Sequence, residues 1–173
     1  MTILISLIIA LLIAIGGFYY YSAEIAESPT IQTPSESGQS GTNPPSMPAL
    51  TTVNRSNQGL TKMPQDILAM TNVQQLNLSN NKLTGALPAE IRQLKNLEVL
   101  NISNNQMTGL PAEIGQLSKL RILNASNNQL TGIPRELGNL QNLEILDLSG
   151  NNPSEEDMRI IRAALPASTN IIL

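Results

Sequence analysis

The chain repeats itself. Residues 60–152 divide into four rows: LTKMPQDILAMTNVQQLNLSNNK (60–82), LTGALPAEIRQLKNLEVLNISNNQ (83–106), MTGLPAEIGQLSKLRILNASNNQ (107–129) and LTGIPRELGNLQNLEILDLSGNN (130–152). Three rows have 23 residues and the second has 24, its extra residue lying in Gly85-Ala86 before Pro88. A period of this length makes each row one unit that buries its apolar side chains only against the rows on either side.

Within each row runs the pattern L-x-x-L-x-L-x-x-N-x-L, as Val73/Leu76/Leu78/Asn81/Leu83, Leu97/Leu100/Ile102/Asn105/Met107, Leu120/Leu123/Ala125/Asn128/Leu130 and Leu143/Leu146/Leu148/Asn151/Pro153. The apolar members of each L-x-L alternate with period two, so they point into a core while the residues between them face out. Stacked row on row, such short strands make a parallel sheet. The pattern resembles the leucine-rich repeat family over about residues 60–173. The T-G-x-(L/I)-P-x-E-(I/L)-G-x-L portion, as in residues 131–140, is similar to plant receptor and disease-resistance repeats and to bacterial relatives. The fold class expected is α/β: a leucine-rich repeat solenoid with a short parallel sheet on its concave face and short helices on its convex face.

Asn81, Asn105, Asn128 and Asn151 each carry an amide able to donate to neighbouring carbonyls and to accept from an N–H in the turn after the strand. They are therefore read as structural, with about 1–3 kcal/mol lost on removing one. The opposite limb opens at Pro64, Pro88, Pro111 or Pro134 and continues with apolar residues at i, i+3 spacing such as Ile91 and Leu94, which predicts a short helical turn. Glu90, Glu113 and Glu136 form an acidic stripe there, in keeping with the dipole at a helix start. Ala125 stands where other rows have Leu78, Ile102 and Leu148, so the third row reads as underfilled.

Both ends depart from the pattern. Residues 50–59 read as a decayed row serving as N-terminal cap, with Arg55 at a leucine position and Gln58 at the asparagine position. In the C-terminal cap, 153–173, Ser154-Glu155-Glu156-Asp157 offers an N-cap and acidic first turn to a helix reaching about Leu165, and residues 170–173 supply a last strand.

The N-terminus has a different character. Residues 2–21 carry no charge, and ILISLIIALLIAI (3–15) has Ser6 as its only polar side chain, close to the ~20 residues a membrane-spanning helix needs. Phe18, Tyr19, Tyr20 and Tyr21 follow, suited to the headgroup level. The alternatives are a cleaved signal peptide and a buried helix. A signal peptide calls for a positive n-region and small residues before the cut, whereas no Lys or Arg precedes Arg55. Residues 1–23 are thus read as one transmembrane anchor, with the bulk of the chain on the extracytoplasmic side. Residues 24–49, rich in Ser, Thr, Pro and Gly, cannot bury enough surface to offset ordering and read as a disordered, flexible linker.

Composition narrows the function. With no His, Cys or Trp, Cys/His zinc sites, disulfides, Ser-His-Asp triads and thiol nucleophiles are excluded, and no metal or cofactor is expected. A net charge of −3 and the lack of aromatics after Tyr21 argue against nucleic acid. The family resemblance implies partner binding by the concave strands, whose outward columns are Gln75, Val99, Ile122, Ile145; then Asn77, Asn101, Asn124, Asp147; then Ser79, Ser103, Ser126, Ser149. Val99, Ile122 and Ile145 make an apolar ridge of roughly 10 Å at ~4.8 Å strand spacing, with Arg121 beside it, which points to a protein or peptide ligand. Three other readings stand beside docking. On the first, the columns simply suit parallel strands; on the second, the chain is a structural envelope protein without a discrete ligand; on the third, it is an enzyme working with Ser, Lys, Asp or Glu, through carboxylates such as Glu98, Glu144 and Asp147. Four Asn-x-Ser matches, at Asn54, Asn77, Asn101 and Asn124, carry no weight, since three of them are by-products of the repeat.

Overall fold

The computed structural model describes residues 51–173. Six strands form one parallel sheet in the order β1 (Thr52–Asn54), β2 (Gln75–Asn77), β4 (Val99–Asn101), β6 (Ile122–Asn124), β7 (Ile145–Asp147) and β8 (Asn170–Ile172). β3 (Thr84–Gly85) and β5 (Gln106–Met107) make a second, two-stranded parallel sheet. An isolated bridge between Gly109 and Gly132 links the next rows at the same stage of the repeat.

The main register is unbroken. Leu76, Leu100, Leu123 and Leu146 sit side by side, all completely buried. Leu78, Ile102, Ala125 and Leu148 form a second buried layer one step along the strands, and Val73, Leu97, Leu120 and Leu143 a third. β1 adds Val53, half-buried, to the first end, and β8 adds Ile171 to the other.

On the returning limb the proline does more than open a turn. Pro88, Pro111 and Pro134 have φ between −64° and −73° with extended ψ, and each carbonyl accepts from the residue three on: Ile91, Ile114 and Leu137. The i→i+3 pattern repeats at once from Leu94, Leu117 and Leu140, so residues Ala89–Gln93, Ala112–Gln116 and Arg135–Asn139 are 3₁₀ turns rather than α-helices. A 3₁₀ turn eclipses side chains at i and i+3. Ile91 and Leu94, like their counterparts Ile114/Leu117 and Leu137/Leu140, thereby enter the core together. Only the first row uses an α-turn, α1 (Gln65–Leu68).

The extra residue of the second row is absorbed where it occurs. Gly85 takes φ +69°, and Ala86 bulges into solvent while Leu83 and Leu87 stay buried on either side. At the C-terminal end α2 (Glu155–Ala164) packs Met158 and Ile161 onto the last row, its first turn capped by the Ser154 hydroxyl accepting from the Asp157 N–H at 3.4 Å. Among the described residues no helix is long and apolar enough to cross a membrane; the anchor expected over 1–23 and the linker over 24–49 lie outside them.

Ala125 is fully buried, and the equivalent positions of the neighbouring rows are the buried Ile102 and Leu148, each just past its strand. Ala125→Leu is expected to raise the melting temperature by about 2–5 °C through added apolar burial. A fall of several degrees by calorimetry would mean that the neighbours have already closed the space.

Candidate concave binding face

Because Leu76, Leu100, Leu123 and Leu146 point inward, the strand residues flanking them point to the other side of the sheet. The register places Thr52, Gln75, Val99, Ile122, Ile145 and Asn170 in one line across it. Val99, Ile122 and Ile145 are half-buried neighbours, bounded by Gln75 at one end and Asn170 at the other. The expected apolar ridge is thus assembled, with polar residues closing both of its ends.

The second line, Asn54, Asn77, Asn101, Asn124, Asp147 and Ile172, is already at work within the fold. Each Oδ1 of Asn77, Asn101, Asn124 and Asp147 accepts from the backbone N–H of the serine two residues on, at 2.9–3.0 Å. The hydroxyls of Ser103, Ser126 and Ser149 donate to the same oxygens at 2.8, 2.7 and 2.7 Å. Each pair closes the end of its strand as an Asx turn. This corrects the expectation of three outward columns: Asn77, Ser79, Ser103 and Ser126 are buried. What the second line offers to a partner is the Nδ2 groups of Asn101 and Asn124 and the remaining carboxylate oxygen of Asp147. The Asn-x-Ser matches at Asn77, Asn101 and Asn124 are these turns.

Immediately beyond lies a left-handed residue in every row, Asn57, Asn80, Asn104, Asn127 and Gly150, with φ from 52° to 69°. Asparagine is among the few side chains that tolerate this conformation. The reversal delivers the next asparagine to the carbonyls. Asn105 donates to Leu78, Ile102 and Ser103 oxygens at 3.0–3.1 Å and accepts from the Leu83 N–H at 3.0 Å. Asn81, Asn128 and Asn151 repeat the arrangement.

Arg121 stands one residue before the ridge, in line with Gln74, Glu98 and Glu144. Its Nε and Nη2 donate to the two Glu144 oxygens at 2.8 and 3.0 Å, and Nη1 lies 4.0 Å from Glu98. The Glu144 hydrogen bond, only partly opposed by burial and joined by the charges of Glu144 and Glu98, holds the guanidinium pKa above its ordinary value. Gln74 Nε2 donates to Glu98 at 3.2 Å, and Lys119 Nζ donates to Asn96 Oδ1 at 2.8 Å. The cation expected to meet a ligand is therefore engaged by its own sheet. Among the described residues no cluster of His, Cys, Asp and Glu is placed to hold a metal ion.

A family model described as a leucine-rich repeat region matches residues 50–163. The chain belongs to the leucine-rich repeat family. Among solved structures, a leucine-rich repeat protein of Leptospira interrogans is 44% identical at a TM-score of 0.61, over 65% of this chain and 28% of that one. The plant peptide hormone receptor RGFR1, solved in complex with RGF2, is 35% identical at 0.57, over 71% of this chain and 21% of its own. The receptor kinase SOBIR1 ectodomain from Arabidopsis thaliana is 32% identical at 0.56, over 69% of this chain and 66% of its own. This leucine-rich repeat chain thus spans about a quarter of the first two. No curated protein matches it.

Proposed function

We propose that this chain is a membrane-tethered leucine-rich repeat module that recognises a protein or peptide through its concave face, without catalysis. The observation that carries the reading is the ridge of Val99, Ile122 and Ile145, aligned on adjacent strands and left partly open to solvent. Apolar side chains on a rigid sheet are ordered before a partner arrives, which limits the entropy lost on binding. The likeness to RGFR1, a plant peptide hormone receptor solved in complex with RGF2, supports a peptide as the kind of ligand. Against catalysis, the carboxylates of Glu98 and Glu144 lie on an open face and are shared with Arg121 rather than held together in a cleft. The uncharged run of residues 2–21 supports the tether, and our reading has the repeats on the extracytoplasmic side.

Cross-linking in intact cells followed by purification of the tagged full chain tests the reading. Recovery of the partner should fall at least about tenfold for Ile122→Asp, which puts a charge on the ridge, and persist for Ile122→Val. Equal recovery from Ile122→Asp removes the ridge from the site. Digestion of a C-terminal tag by protease added to intact cells is the expected sign of an outside location, and protection until permeabilisation reverses it.

A further inference from the structure

The charges of the concave face are not evenly satisfied. Arg121 is held by Glu144 and Glu98, while no Lys or Arg nitrogen among the described residues lies within 4.0 Å of Asp147. Asp147 is half-buried. On its own strand the ridge residue Ile145 shares its face, and on the adjacent strands it is aligned with Asn124 and Ile172. Its Oδ1 is occupied by the Ser149 N–H and hydroxyl, which leaves the other carboxylate oxygen without a hydrogen bond among the described residues. In the same line Asn77, Asn101 and Asn124 are neutral. On the flank before the ridge Glu98 and Glu144 are matched by Arg121 and Lys119, whereas on the line beyond it Asp147 stands without a cation, so the face keeps one net negative charge and it lies at Asp147.

We infer that the partner of this face is an extended peptide segment in which an aliphatic side chain is followed closely by a Lys or Arg, the aliphatic group lying on Ile122 and Ile145 and the cation on Asp147. The inference rests on the proposed recognition by the concave face and specifies its ligand. Attraction between opposite charges at the edge of an apolar contact is stronger than in open water, because the surrounding side chains exclude solvent. An anionic segment meets the reverse: Asp147 repels it, and the charge of Arg121 is already offset by Glu144 and Glu98.

The rows themselves supply the control. Asp147→Asn installs the residue that the other rows carry, and the amide oxygen can still accept from Ser149, as Asn124 accepts from Ser126. The fold is kept while the charge is lost. The probe is a phage-displayed library of random twelve-residue peptides, panned on the full chain in detergent micelles, with Ile122→Asp and Asp147→Asn panned in parallel. Expected are peptides pairing an aliphatic residue with Lys or Arg, whose affinity falls about tenfold for Asp147→Asn and falls with added salt. Asn124→Asp should strengthen the same peptides. Peptides that need Ile122 but are neutral or acidic, or that bind Asp147→Asn unchanged, overturn the charge inference and leave the ridge as the site. Enrichment indifferent to Ile122→Asp overturns both.

Discussion

Replacing Asn105 with Asp should destabilise the protein by about 3–5 kcal/mol at pH 7, more than replacing it with Ala. The difference between the two variants follows from how the asparagines are chained. Asn81 and Asn105 both donate to the Leu78 carbonyl, at 2.9 and 3.1 Å; Asn105 and Asn128 both donate to that of Ile102, at 3.0 Å each; Asn128 and Asn151 share that of Ala125. Each of these three carbonyls is served twice, so Asn105→Ala leaves Leu78 and Ile102 with one donor each. It orphans only the Leu83 N–H outright, a loss of about 2 kcal/mol. Asn105→Asp keeps the acceptor for Leu83 but turns an oxygen toward three carbonyls, burying a charge with no counter-ion.

That charge also sets a pH dependence. Burial beside carbonyl dipoles raises the folded-state pKa of the introduced carboxyl above its unfolded value, so the added penalty is small below about pH 4 and grows as pH rises. Urea unfolding followed by circular dichroism at pH 7 and at pH 4 reads both effects. If Asp and Ala variants are equally stable at pH 7, the chained amides are not what holds the rows in register.

How much of this was legible in the sequence depends on what repeats. The leucine layers and the asparagine chain recur at a fixed spacing, and any side chain that recurs in a stacked repeat meets copies of itself, so its environment can be read from the period alone. The second sheet of β3 and β5 is not legible there, because it is made by backbone and its residues, Thr84, Gly85, Gln106 and Met107, have no alternation to betray it. The left-handed line does have a signal, the doubled asparagines at 80–81, 104–105 and 127–128, in which the first member takes the positive φ and the second reaches the carbonyls.

The candidate face was legible in part. The ridge follows directly from the strand alternation. The burial of Ser79, Ser103 and Ser126 does not, because those residues lie past the strand ends, where the Asx turn and not the two-residue period sets the direction of the side chain. The engagement of Arg121 was out of reach for another reason. Glu98 and Glu144 lie one row away on either side, and which of them the long side chain meets at 2.8 Å depends on the lateral offset of the rows.

Among the described glycines the one with least room for a side chain, Gly115, is on the convex side, and it yields the second large effect. A Cβ added at Gly115 would run into the carbonyl of Glu136 in the next row, with its carbon only 2.7 Å away; one added at Gly138 would meet the Ala164 Cβ of α2 at 2.5 Å. The two obstacles differ in kind. Backbone cannot step aside without moving the whole 3₁₀ turn, so Gly115→Ala should cost about 3 kcal/mol, with no single side-chain change restoring it. Gly138→Ala should cost about 2 kcal/mol, and Ala164→Gly should return most of that, less up to about 1 kcal/mol for glycine at the end of a helix. A double-mutant cycle by chemical denaturation should therefore show favourable coupling between Gly138→Ala and Ala164→Gly, and none between Gly115→Ala and Ala164→Gly. Row two already carries a side chain at this position, Arg92. If Gly115→Ala leaves stability unchanged, the rows can slide apart to admit a Cβ wherever one is offered, and the glycines of rows three and four do not set the spacing of the convex turns.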